Sequence, residues 1–196
     1  QLQSALKNRL LAIVSSTAPN VDGTKLNSIV SPGEGEKFDD EKFSDFRELR
    51  DQLLKIKNAN HLQKSPGDSP LYILKEVDGA RIGQELAFMV MTDRNAKGDY
   101  FVGARYPKLD HLREALHGNA VARDLYQDQH GWWVSAAAPI HGADDEVVAV
   151  LQADYPADYV FEEARSAAKS LLIGALLSAV LAAACALLVA RGITAP

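Results

Sequence analysis

From Ser170 to Ala190 the chain reads SLLIGALLSAVLAAACALLVA, with no charge between Lys169 and Arg191. As an α-helix this run rises about 31 Å, close to the roughly 30 Å hydrocarbon core of a bilayer. It is expected to cross a membrane, and whatever precedes it must then fold as a separate domain. The only cysteine, Cys185, lies inside the run. No disulfide can form within the chain, and Cys185 reads as a small apolar packing residue.

The residues ahead of the run are numerous enough for one domain with its own core. All 26 acidic residues and all but one of the 21 basic ones precede residue 170, giving that part a net charge of −6. The acidity argues against nucleic acid as a partner, and no basic stripe offsets it. Acidic residues do little to orient a membrane protein, so this charge alone sets no topology. The opening, QLQSALKNRLLAIVSS, has no signal-peptide pattern. It is an amphipathic helix pattern, with Leu2, Leu6, Leu10, Ile13, Val14 and Thr17 near one face. A helix at full amplitude from residue 1 leads us to expect a first membrane span upstream. The alternative is a mature N-terminus made by processing.

The first helix is expected to end near Pro19, followed by a turn-rich stretch with at most a short helix at Lys25–Val30. In FDDEKFSDFRELRDQLLKIKN, Phe43, Phe46, Leu49, Leu53 and Ile56 recur at helical spacing. Asp39 and Asp40 near its start and Lys55 and Lys57 near its end suit the helix dipole. After the SPGDSP loop come five short strands: 71–77, 84–93, 100–104, 131–140 and 146–155. A short helix, LDHLREALHG, lies between the third and fourth and is closed by Gly118. From Pro156, a residue tolerated in a first helical turn, the pattern runs without a breaker into the apolar segment. The fold class is α+β: N-terminal helices packed on a five-stranded antiparallel sheet, followed by one transmembrane helix.

The stretch DLYQDQHGWWVSAAAPIHGADDEVVAVLQADY resembles the closing strands of extracellular Cache domains, the PAS-like sensor modules of bacterial transmembrane receptors. The residues that carry the likeness are Asp128, Gly131, Trp133, Ser135, Ala138-Pro139-Ile140 and Asp154. RYPKLDHLREALHG resembles that family's Tyr-Pro segment and following helix, and Val21-Asp22-Gly23 agrees near the end of the first helix. The likeness is strong over 105–155 and looser before it. One departure is that Asp145 and Glu146 stand where the family's last hairpin usually has glycine. Asp tolerates the left-handed conformation better than most residues, so the turn is expected to survive. RGITAP, directly after the apolar run, resembles the opening of a HAMP linker. That places Arg191 in the cytoplasm, in keeping with the positive-inside tendency.

Little in the residues points to catalysis. Ser135 lies in WVSAA, without the glycines of a nucleophile elbow. His61, His111, His117, His130 and His141 form no i,i+4 pair and no HExxH, so no metal site is assigned. The glycines near Gly79 and Gly83 fit turns, and no cofactor is expected. A ligand pocket is the better reading. The resemblance implies a small molecule on one face of the sheet, ringed by aromatic side chains with a charged anchor. The candidates are Tyr72, Arg105, Tyr106, Tyr126, Trp133, Ser135 and Asp154. Arg105 could hold a carboxylate through two charge-assisted hydrogen bonds, and Asp154 could receive an ammonium group or the arginine. Equally, Arg105 is a surface residue, Asp154 caps a helix, and the aromatics are core. The amino-acid-binding pattern of double Cache domains is not evident.

The resemblance thus implies an extracytoplasmic sensor domain over 1–165, a juxtamembrane and transmembrane helix over 166–190, and the start of a HAMP-like linker over 191–196. The expected protein is a homodimeric receptor in the plasma membrane that passes binding of a small molecule, such as a carboxylate, to a cytoplasmic output. A histidine kinase is the first expectation for that output; a nucleotide or diguanylate cyclase or a chemoreceptor is the alternative. A cytosolic tail-anchored protein and a ligand-free dimerisation module are the rival readings.

Overall fold

The computed structural model describes residues 2–33, 36–62, 70–77, 85–128, 131–157, 165–166, 168–179 and 182–183. The chain divides into two compact units, Gln1–Ala157 and Asp158–Pro196.

In the first unit, helix α1 spans Leu2–Thr17 and buries Leu10, Ile13, Val14 and Thr17, the face its spacing predicts. It gives way to a 3-10 turn, Ala18–Asn20, at Pro19. A second 3-10 turn, Gly23–Ser28, is capped by Asp22, which accepts from the Thr24 amide at 3.0 Å. Helix α2 spans Ser44–Ala59, starting later than its sequence pattern predicts. Asp40–Lys42 instead forms a 3-10 turn. Phe43 is extended before the helix, and Asp45 is the acid in the first turn. The Phe43 ring stacks on Phe38 at 5.0 Å, and Phe38 in turn packs on Phe46 at 4.8 Å. Near the C-terminus Lys57 is buried and paired with Asp93 at 2.6 Å, so it does more than complement the helix dipole.

The sheet has six antiparallel strands rather than five: β1 (Leu71–Glu76), β2 (Glu85–Met91), β3 (Arg105–Pro107), β4 (Val121–Asp128), β5 (Gly131–His141) and β6 (Val147–Pro156). Their order is β3-β2-β1-β6-β5-β4. The strand expected at 100–104 is instead a turn. Gly103 stands at φ +83°, and a Cβ there would come within 2.7 Å of Ser31. The strand follows directly, at Arg105–Pro107. β4 is the strand that pattern reading missed, because an irregularity between Arg123 and Tyr126 breaks its alternation. Helix α3, Asp110–Leu116, ends as expected at Gly118, which has φ +92°. Asp145 at the β5–β6 turn has φ +61°, so the departure from glycine is accommodated. Pro156 closes β6 opposite Trp133 instead of opening a helix.

Register assigns the side chains to two faces. Ser135 lies opposite Asp154, Ala137 opposite Gln152, and Tyr72 opposite Gln152. Arg123 lies opposite Ser135, Tyr126 opposite Trp133, and Leu86 opposite Tyr106. These residues share one face, which α3 covers where it packs on β4, β5 and β6. The other face carries Val134, Ala136, Ala138, Ile140, Leu151 and Ala153, all buried. Helix α1 crosses that side at β5, β4 and β6, and its Lys7 reaches Asp124 at 2.6 Å. The alanines there let a helix lie close to the strands.

In the second unit, residues 168–179 are helical. Leu171, Leu172, Ile173, Leu176 and Leu177 are 57–76% exposed. The Ser170 and Ser178 hydroxyls donate to the carbonyls of Ser166 and Gly174, at 3.0 and 2.8 Å. Among the described residues no helix is long and apolar enough to cross a membrane. Most of the span expected at 170–190 from residue 180 onward lies outside the described residues, as does RGITAP. The same holds for the approach at 158–164, nearly all of the SPGDSP loop and the turns at Gly79 and Gly83.

Candidate functional site

The side chains on the α3-covered face converge on Asp154, which is 5% exposed. Its Oδ1 accepts from Ser135 Oγ at 2.5 Å and from Gln152 Nε2 at 2.7 Å, and its Oδ2 accepts from the Tyr72 hydroxyl. The donors arrive from three adjacent strands. Ser135 is the register partner of Asp154, Gln152 precedes it by two residues on the same face, and Tyr72 reaches across from β1. Because Ser135 donates to Asp154, the 2.9 Å contact between Ser135 Oγ and Tyr126 Oη has the tyrosine as donor. The result is a relay from Tyr126 through Ser135 to Asp154, buried throughout. Burial first, and then the negative charge of Asp154, raise the pKa of Tyr72 and of Tyr126. Both phenols therefore stay protonated and able to donate. Gln1 to Ala157 thus contains a built polar centre in an otherwise apolar interior.

An aromatic wall flanks this centre. Tyr72 packs on Phe88 at 5.0 Å, Phe88 on Tyr106 at 5.4 Å and on Phe101 at 4.8 Å. On the other side the Arg123 guanidinium lies 3.9 Å above the Tyr126 ring. The His111 ring from α3 stands 6.2 Å from the same tyrosine. His111 is 4% exposed and its pKa is lowered to about 4, by burial and then by the positive charge of Arg123. Gln152 pulls the other way without reversing the shift.

Of the residues singled out in the sequence, Tyr72, Tyr126, Ser135 and Asp154 form the hydrogen-bonded centre, and Tyr106 joins the aromatic wall. Trp133 lies on the same face, half-buried, opposite Tyr126. Arg105 does not reach the cluster: opposite Ala87 it falls on the other face and is exposed. Asp154 binds side chains of the sheet and is buried in a strand, so it caps no helix there. Sequence reasoning missed His111, Arg123 and Gln152. The signals available were the spacing of Gln152 to Asp154, which puts both on one face of a strand, and the cation in VARDLY.

The polar groups of these three residues are not all satisfied. Among the described residues, Arg123 Nη1 is buried with no hydrogen-bond partner, while the side chains of His111 and Gln152 lie within reach of each other. Buried polar atoms are almost always paired, and leaving one unpaired costs roughly 1–3 kcal/mol.

No family model matches the chain, and no curated protein matches it. Solved structures similar to it include the sensor domain of Escherichia coli DcuS, at 14% identity and a TM-score of 0.49, covering 83% of this chain and 97% of that one. The ligand-binding domain of the Campylobacter jejuni chemoreceptor Tlp3, in complex with 4-methylisoleucine, is similar at 14% identity and a TM-score of 0.46. That of the Pseudomonas aeruginosa amino-acid chemoreceptor PctC, in complex with GABA, gives 12% and 0.38. Each covers 80% of this chain, which spans 52% and 61% of those two domains.

Proposed function

We propose that this chain is the ligand-sensing, extracytoplasmic part of a transmembrane signalling receptor, with its membrane helix and the start of a HAMP-like linker. The observation that carries the reading is the buried centre at Asp154, with Gln152 and Arg123 on the same sheet face and His111 of α3 over it. A merely structural core is more stable with apolar residues in such positions. The apolar surface of 170–179, with its serine hydroxyls turned back onto helix carbonyls, supports a lipid environment for the second unit. In this reading a ligand binds on the sheet face beneath α3 and favours one of two conformations of the receptor. The coupling of such switches is typically about 1–3 kcal/mol. The receptor acts as a homodimer, and its output is a histidine kinase or another cytoplasmic signalling domain.

The test is thermal unfolding of the 196-residue chain in detergent against a panel of small organic acids, amines, amino acids and sugars. A ligand at a hundred times its Kd stabilises by about 2.7 kcal/mol, a shift of several degrees. At least one compound should raise Tm saturably in the wild type and lose that effect in Asp154→Asn. A panel with no saturable member would reject the sensor reading in favour of the ligand-free module.

A further inference from the structure

Helix α3 has seven residues, too few to persist as a helix without tertiary contacts. Its hold on the sheet comes from three buried side chains, His111, Leu112 and Ala115, of which only His111 is polar. A non-helical joint bounds it on each side. Leu109 ahead of it is extended, and Gly118 behind it has φ +92° with nothing within 4 Å of a Cβ placed there.

His111 is tied to the sheet through Gln152. The Gln152 Nε2 donates to Asp154 at 2.7 Å, which leaves its oxygen to accept from the imidazole beside it. A neutral imidazole has one N–H, and Gln152 can take it. An imidazolium has two, together with a charge. From β4 it faces the Arg123 guanidinium and the Tyr126 ring on which that guanidinium lies. From β5 comes Ser135, which donates to Asp154, and from β6 come Gln152 and, behind it, Asp154. Asp154 already accepts from Tyr72, Ser135 and Gln152. The charged residues of α3 itself, Asp110, Arg113 and Glu114, are exposed, as is His117 after them, and Asp110 pairs with Arg113 at 3.0 Å. Among the described residues, the carboxylates near His111 are thus engaged, and a proton on its ring puts a second cation beside Arg123.

We propose that α3 is a pH-sensitive latch: with a neutral His111 it closes over the Asp154 face, and protonation of the ring drives it off the sheet while the strands stay folded. Burial, and then the positive charge of Arg123, lower the pKa of the closed form to about 4 from 6.5. In the open form the ring meets water and titrates near the ordinary value. The proton therefore binds the open form more tightly, and acid favours opening. Between about pH 7 and about pH 3.5 the open-to-closed ratio should rise roughly 200-fold. Opening needs no ligand, so the latch stands apart from the sensor reading.

The experiment is hydrogen–deuterium exchange of the 196-residue chain in detergent across that pH range, with protection factors corrected for the intrinsic rate at each pH. The amides of Arg113, His117 and Gly118, bonded in the turns of α3, should lose protection roughly 100–300-fold in acid. Those of β5 and β6 should stay at least about 100-fold better protected than α3 throughout, which separates local release from global unfolding. In His111→Gln the protection of α3 should vary less than about threefold with pH, and His117→Gln should keep the wild-type response. A reading on the wild type removes dependence on the variants' folding: the His111 ring, followed by NMR, should titrate below about pH 5. Exchange of α3 together with the strands, no loss of its protection in acid, a loss that persists in His111→Gln, or a His111 ring titrating near the ordinary 6.5 would each overturn the latch.

Discussion

At the scale of single residues, the account turns on polar groups placed where an apolar core would be more stable. Ser135 links Tyr126 to Asp154, so Ser135→Ala removes two buried hydrogen bonds. Chemical denaturation should show a loss of about 1–3 kcal/mol. Ser135→Val should cost no less, since added volume cannot restore the bonds. His111 gives a pH signature. Its folded pKa, lowered to about 4 from the ordinary 6.5, means that the unfolded chain binds the extra proton first as pH falls. Its contribution is intact above about pH 6.5, declines toward pH 4 and changes little below, with a span of about 3 kcal/mol. His111→Gln should flatten the urea midpoint over that window relative to the wild type; an unchanged slope would remove His111 from the buried cluster. Several of these residues were legible in the sequence. Tyr72, Tyr126, Ser135 and Asp154 could be named because the resemblance implies aromatic side chains around a charged anchor on one face of the sheet. His111 could not, since its neighbours come from β4 and β6 and no helical spacing announces a tertiary contact. Arg105 was the more conspicuous arginine beside its Tyr-Pro turn, and only strand register shows it on the face opposite the Asp154 cluster.

At the scale of elements, turn chemistry and apolar periodicity carried most of the fold. The face of α1, the stripe of α2, the Gly118 stop of α3 and the two long C-terminal strands all follow from local pattern. The failures are equally local in cause. Phe43 is apolar and correctly spaced, yet it is held extended while Phe38 stacks on it. The α2 pattern therefore began before the helix does. β4 carries Arg123 and Asp124 next to each other and an irregularity that disrupts its period. Its strand identity comes from pairing with β5 and not from its own residues. The β5–β6 turn offers a direct check. Asp145 at φ +61° should be replaceable by Gly with little loss, while Asp145→Val should destabilise by about 1–2 kcal/mol in thermal melts. Equal effects of the two substitutions would show that the turn does not hold that conformation in solution.

At the scale of the whole molecule, β6 joins the two halves of the account: it carries Gln152 and Asp154 and leads toward the second unit. The orientation across the membrane is tested by chemistry from outside. In a Cys185→Ser background, Lys97→Cys at an exposed loop position should react with a membrane-impermeant maleimide applied to the outer face of the inner membrane. Protection there, with labelling only after lysis, would favour the tail-anchored alternative. That the α3-covered face of the sheet is a binding site is tested by backbone-amide NMR of the 196-residue chain titrated with the panel compound that raises its Tm most. The account predicts saturable shifts concentrated at Tyr72, His111, Arg123, Tyr126, Ser135, Gln152 and Asp154, with α2 and the outer face of α1 quiet. Shifts confined to α1 and α2, or none at saturating concentration, would contradict it.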